Sequence, residues 1–196
     1  MPNLWPAKAN SVQTPVPFYI HVMNCSALIT ALVSLLPSAV LAEIVVTIAE
    51  SSPTDLITIE NRTDCDFYDF GMQIDLRNSA GGLIFDISEG GAGASGYQPF
   101  EILQGGSAVR NYARVSDGDR VAFIEFATLE AGQRVIFMVD MDDTLPDNAF
   151  GQTIVDGAEI AGAVIVLTAV GEEPSTAIFL PDGRATAQIR SCGPVS

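Results

Sequence analysis

After residue 42 the chain contains no lysine, no histidine and no tryptophan: the only members of each type are Lys8, His21 and Trp5. Without imidazole, neither a Ser-His-Asp nor a Cys-His nucleophile can be built, and the usual His-bearing zinc sites and the two-histidine iron site are excluded as well. Without lysine there is no Schiff base and no Walker-type phosphate loop. Carboxylate pairs survive as catalytic groups, as in glycoside hydrolysis, where separation in space decides and sequence does not reveal it. The expectation is a protein that binds, not an enzyme. The alternatives are a carboxylate-dependent polysaccharide hydrolase and a structural cell-surface protein with no small ligand.

The first 42 residues lack something else, since they hold no Asp or Glu. Their apolar run, Ala27 to Leu36, stops at Pro37 and is too short for the ~30 Å hydrocarbon core of a bilayer. Val40 and Ala42 occupy the small-residue positions read by signal peptidase, so residues 1–42 are expected to be a signal peptide, cleaved before Glu43. The only basic residues before the run are Lys8 and His21, and Met23 is an alternative start. Cys25 precedes the run instead of following it, which argues against a lipid anchor. The expected product is one exported domain, residues 43–196, periplasmic, extracellular or at the cell surface, with no membrane span.

In that domain eight arginines face all 24 acidic residues, and the whole chain carries a net charge of −15. Such a field repels nucleic acid and anionic lipid and attracts cations. Two cysteines remain, Cys65 and Cys192, and in an oxidising compartment they are expected to form a disulfide. It would close a loop worth roughly 4 to 5 kcal/mol in the chain-entropy picture. Free or metal-binding thiols are the alternative, for which no third zinc ligand is present.

No part of residues 43–196 shows a 3.6-residue apolar stripe, and period-2 patterns dominate. Strands are predicted at Ile44 to Ala49, Leu56 to Glu60, Met72 to Arg77, Leu83 to Ser88, Arg120 to Phe126, Arg134 to Asp140, Ala163 to Val170, Thr176 to Leu180 and Ala185 to Arg190. Met72-Gln73-Ile74-Asp75-Leu76-Arg77 alternates completely, one face for a core and one for water. Val121 to Ile124 and Ala163 to Leu167 are apolar on both faces, which suits central strands. Turn signals at Asp117-Gly118, Glu130-Ala131-Gly132, Asp156-Gly157 and Pro181-Asp182-Gly183 separate these runs. The fold class that follows is all-β, a single antiparallel β-sandwich of Greek-key or jelly-roll type.

Gly91-Ala92-Gly93-Ala94-Ser95-Gly96 has the letters of a dinucleotide-binding loop but lacks the helix that must follow, so it reads as a flexible surface loop. Asn61-Arg62-Thr63 is a glycosylation triplet by letters. Tyr68, Tyr97 and Tyr112 make a thin aromatic platform for a sugar. One acidic cluster has useful geometry: Asp140, Asp142 and Asp143, with Asp147 close behind, where a predicted strand runs into a loop. Asp140 and Asp142 share a side if the strand continues. Calcium takes six to eight oxygens at ~2.3 to 2.6 Å and tolerates irregular loops, so these four residues are the candidate metal ligands. The pattern is not that of a helix-loop-helix calcium site, and the competing reading is a solvated turn. Asp86, Glu89 and Glu159 are weaker candidates that would join only if the fold gathers their loops.

Three segments carry a family likeness: Ser79 to Asp86 with the Gly-rich loop and Gln98-Pro99-Phe100-Glu101; Phe137 to Thr144; and Gly157 to Ala163. Together they resemble the aggregation factor core family of small secreted proteins from marine alphaproteobacteria. The resemblance implies an extracellular or cell-surface role in adhesion, with a cell-surface protein or polysaccharide as partner. It also implies calcium dependence, with an ion held at Asp140, Asp142 and Asp143. Met141 and the long, charge-poor leader depart from it.

Overall fold

The computed structural model describes residues 42–51, 54–94, 96–112, 115–146 and 152–189. The predicted leader falls outside them apart from the backbone of Ala42, which opens the first strand; Asp147 and Cys192 also lie outside. The described residues belong to a unit spanning Ser38–Ser196.

Two five-stranded antiparallel sheets pack face to face. The first has the order β12-β1-β2-β8-β5, from β1 (Ala42–Glu50), β2 (Asp55–Asn61), β5 (Glu101–Gln104), β8 (Arg134–Val139) and β12 (Arg184–Ile189). The second has the order β11-β10-β3-β7-β6, from β3 (Phe67–Asp75), β6 (Val109–Tyr112), β7 (Val121–Leu129), β10 (Val164–Ala169) and β11 (Ser175–Ile178). A two-stranded ladder of β4 (Ile84–Phe85) and β9 (Met141–Asp142) stands apart from both. The pairing of β2 with β8, and of β3 with both β7 and β10, joins strands distant in sequence, as Greek-key connections do. The all-β sandwich read from periodicity is the observed architecture.

The core is what the alternation demands. β2 buries every second residue, and Ile44, Val46, Ile48, Ile57, Ile59, Val135, Phe137 and Val139 of the first sheet meet Phe70, Met72, Ile74, Ile124, Phe126, Ile165 and Leu167 of the second. Each such side chain contributes roughly 1.5–3 kcal/mol of burial. Phe70 stacks on Phe126 at a centroid distance of 4.6 Å, and Phe100 packs against Phe85, Phe137 and Tyr112.

Three strands escape the periodicity. β5 and β6 are four residues long and flank Gly105-Gly106, and β9 is two residues long. β3 begins at Phe67, earlier than the predicted Met72, because Asp69 and Gly71 break the alternation of its first half. The two runs that are apolar on both faces are not buried on both, since a two-layer sandwich leaves its outer faces to solvent: Phe123 is 51% exposed. A single helical turn, α1 (Gly157–Ile160), is closed by a capping box, in which Asp156 accepts from the Glu159 amide and Glu159 accepts from the Asp156 amide. Among the described residues no helix is long and apolar enough to cross a membrane.

Candidate metal centre

At one end of the sandwich, β8 stops at Val139 and the chain turns onto the β4–β9 ladder. Pairing of Ile84 with Asp142 and of Phe85 with Met141, extended by the Asp86 amide donating to the Asp140 carbonyl (2.9 Å), sets Asp86 beside Asp140 and Asp142. One carboxylate oxygen from each of these three residues lies within 4.8 Å of the others. All three residues are only 1% exposed. Asp86 Oδ1, Asp140 Oδ2 and Asp142 Oδ1 are buried without a hydrogen-bond partner. Buried carboxylate oxygens in that state are costly, because they have left water and gained nothing in return.

The Gly-rich segment folds over this group, which explains its composition better than flexibility does. The Ala94 amide donates to Asp142 and the Ala92 amide to Asp117, whose other oxygen accepts from Ile87 (3.0 Å) and Ser88 (3.2 Å). A Cβ on Gly93 would run into the carboxylates of Asp142 and Asp86, and one on Gly96 would press on Asp140 Oδ2 at 3.3 Å. Glycine is therefore needed here for close approach to the acids.

The electrostatics follow from burial and like charge. Burial, a hydrogen bond to Asp117 and the neighbouring Asp142 push Asp86 up from 3.8 to about 6. Burial, with Asp142 and Asp86 nearby, pushes Asp140 up to about 7, and burial raises Asp142 too. Asp55, at the start of β2, is pushed up to about 9 by burial and by Glu50; its Oδ2 accepts from the Met141 amide (2.9 Å). Asp117 moves the other way, held below its usual range by the Ala92 amide foremost. Arginine enters none of these causes. The trio thus supplies only hard oxygen donors, close together and short of partners, a group that could hold a metal ion.

Of the predicted ligands, Asp140 and Asp142 come together, whereas Asp143 is buried but stands outside the trio, with Oδ1 accepting from the Leu145 amide (2.8 Å). Asp147 lies outside the described residues. Asp86, a weaker candidate, is the third member; Glu89 is exposed and Glu159 is engaged in the α1 capping box. Sequence reading did not single out Asp55, and it read Asp117 only as part of a turn.

Elsewhere, Asn61 of the glycosylation triplet is fully buried. Its Nδ2 donates to the carbonyls of Cys65, Leu129 and Glu130 at 2.8–3.0 Å, while its Oδ1 accepts from the Thr63 amide and hydroxyl. That side chain is a structural plug with no oxygen or nitrogen to spare. Cys65 is half-buried, its Sγ 3.3 Å from the Thr63 hydroxyl. No protein-family model, curated protein or solved structure matches the chain.

Proposed function

We propose that the chain is an exported recognition module for adhesion at a cell surface, stiffened by a divalent cation of the calcium type at Asp86, Asp140 and Asp142. The observation that carries this reading is the set of orphaned, buried oxygens on three adjoining carboxylates. A cation there would satisfy all three and tie the β4–β9 ladder to the Gly-rich loop that lies over it. The lack of lysine and histidine after residue 42 favours binding over catalysis, and the likeness of three segments to aggregation factor core proteins favours adhesion. Export rests on the leader-like first 42 residues.

A Cys65–Cys192 disulfide belongs to the same proposal. Asn61 and Ala187 flank Ile44 from the two sides of β1, so the ends of β2 and β12 lead out at the same end of the first sheet.

Thermal unfolding with calcium and then with a chelator tests the cation. A ligand at a hundred times its dissociation constant adds ~2.7 kcal/mol, about 5–10 °C for a domain of this size. An unchanged midpoint in millimolar calcium would remove the cation from the account.

A further inference from the structure

The outer face of the second sheet carries a trench remote in kind from the acidic centre. A cavity of about 430 Å³ and a neighbouring one of about 200 Å³ share Gly71, Glu125 and Thr168. The register explains the shape. Thr168, Gly71 and Glu125 form one row across β10, β3 and β7, and Val166, Gln73 and Phe123 form the next on the same face. Gly71 leaves a gap in the middle of a five-stranded face. A Cβ there would meet the Thr168 hydroxyl at 2.8 Å, a rotatable group, so the sheet backbone itself does not demand glycine. Glycine inside a strand weakens it and marks a place where something else comes close.

Two irregularities point at the same spot. Asp69 has φ +48, the left-handed region that non-glycine residues seldom adopt, and the β3–β7 register skips it. On β6, Arg110 is the extra residue of a register shift between Val109 and Asn111. Bulges re-aim side chains, and here the result is an Asp69–Arg110 ion pair at one end of the trench, next to Glu125.

We infer that this trench binds a neutral oligosaccharide. Its polar groups, Asp69, Arg110, Glu125, Gln73 and Thr168, include both donors and acceptors, and Phe123 and Val166 offer an apolar ledge to the C–H face of a sugar ring. Hydroxyls satisfy carboxylate and guanidinium alike without adding charge. An anionic sugar would face two carboxylates against one guanidinium, on a chain of net charge −15. A purely apolar ligand would strip water from charged groups and return nothing. An extended peptide would find no free backbone edge along the trench floor, because β3 and β7 are paired on both sides, and the edge strand β6 is kinked at Arg110.

This inference names a partner class for the recognition module but does not depend on the cation. Calorimetric titration of the full chain with cellohexaose, laminarihexaose, mannohexaose and xylohexaose, and with a guluronate hexamer as anionic control, tests it. At least one neutral hexamer should bind. Phe123→Ala and Gln73→Ala, both on the solvent side, should each weaken it about tenfold, and Arg134→Ala, on β8 of the other sheet, should leave the affinity unchanged. No calcium response in the unmodified chain, with intact sugar binding, would overturn the cation reading alone. Absence of binding by all four neutral hexamers, binding of the guluronate alone, or affinity that survives both trench substitutions would overturn the trench.

Discussion

Strand β2 begins and ends on a buried polar residue, and the two ends are handled in opposite ways. At its last position Asn61 makes five hydrogen bonds and leaves no valence open. At its first position Asp55 keeps an oxygen without a partner and stands beside the acids Glu50 and Asp140, with no arginine among the described groups that act on it. Arginines instead pair with other acids and keep their own side chains exposed: Arg77 with Asp75, Arg62 and Arg134 with Glu60, Arg110 with Asp69. One end of the sandwich is complete as folded; the other holds buried carboxylate oxygens with no partner.

Removing the satisfied end should cost most. Asn61→Ala strands several buried carbonyls and is expected to lower stability by about 2 to 4 kcal/mol, seen as a fall in the denaturation midpoint at constant slope. A loss below about 1 kcal/mol would mean the plug is replaceable by water. At the other end the sign should reverse. Asp140→Asn, in chelator at pH 8, is expected to stabilise the protein by about 1 kcal/mol, since it removes a buried charge among like charges. The same variant should lose its response to calcium. A destabilised, calcium-responsive variant would contradict the contrast.

The pH profile sharpens it further. Asp86, Asp140 and Asp55 have folded values of about 6, 7 and 9 against 3.8 when unperturbed. Between those limits the folded chain keeps protons that the unfolded chain has released, so their contribution is full at low pH and is lost as pH rises through 6, 7 and 9. Cation-free protein should therefore lose stability from mildly acidic to alkaline pH. Calcium should flatten the slope between pH 5 and 8, because it takes the place of the protons. A cation-free midpoint that rises across this range in thermal scans would break the prediction. Asp75 and Glu60, lowered by Arg77 and Arg62 respectively, act oppositely and weaken the fold only as pH falls into the range where they protonate. The smallest effect is expected at that surface: Asp75→Asn should cost about 0.5 to 1 kcal/mol, measured by denaturant titration.

The sandwich was legible wherever one face is core and the other is wet. Met72 to Leu76 alternates without a break because Met72 and Ile74 point inward and Gln73 outward. β5 and β6 were hidden because a few residues beside two glycines carry too short a pattern to register. Asp140 and Asp142 were legible because a one-residue gap in extended chain puts two side chains on one side. Asp86 was legible only as a weaker candidate, since only the β4–β9 pairing brings it there, and a two-residue ladder leaves no periodicity to read. Asp117-Gly118 looked like any hairpin turn, and its true employment, anchoring the amides of Ile87, Ser88 and Ala92, depends on loops from elsewhere in the chain.

The outermost strands β5 and β6, on the same flank of the two sheets, each carry a register shift, at Leu103 and at Arg110. A kinked margin with a charged or protruding side chain is a poor template for another chain's backbone. That flank is barred from zippering copies into fibres, so molecules crowded at high density stay separate along this side.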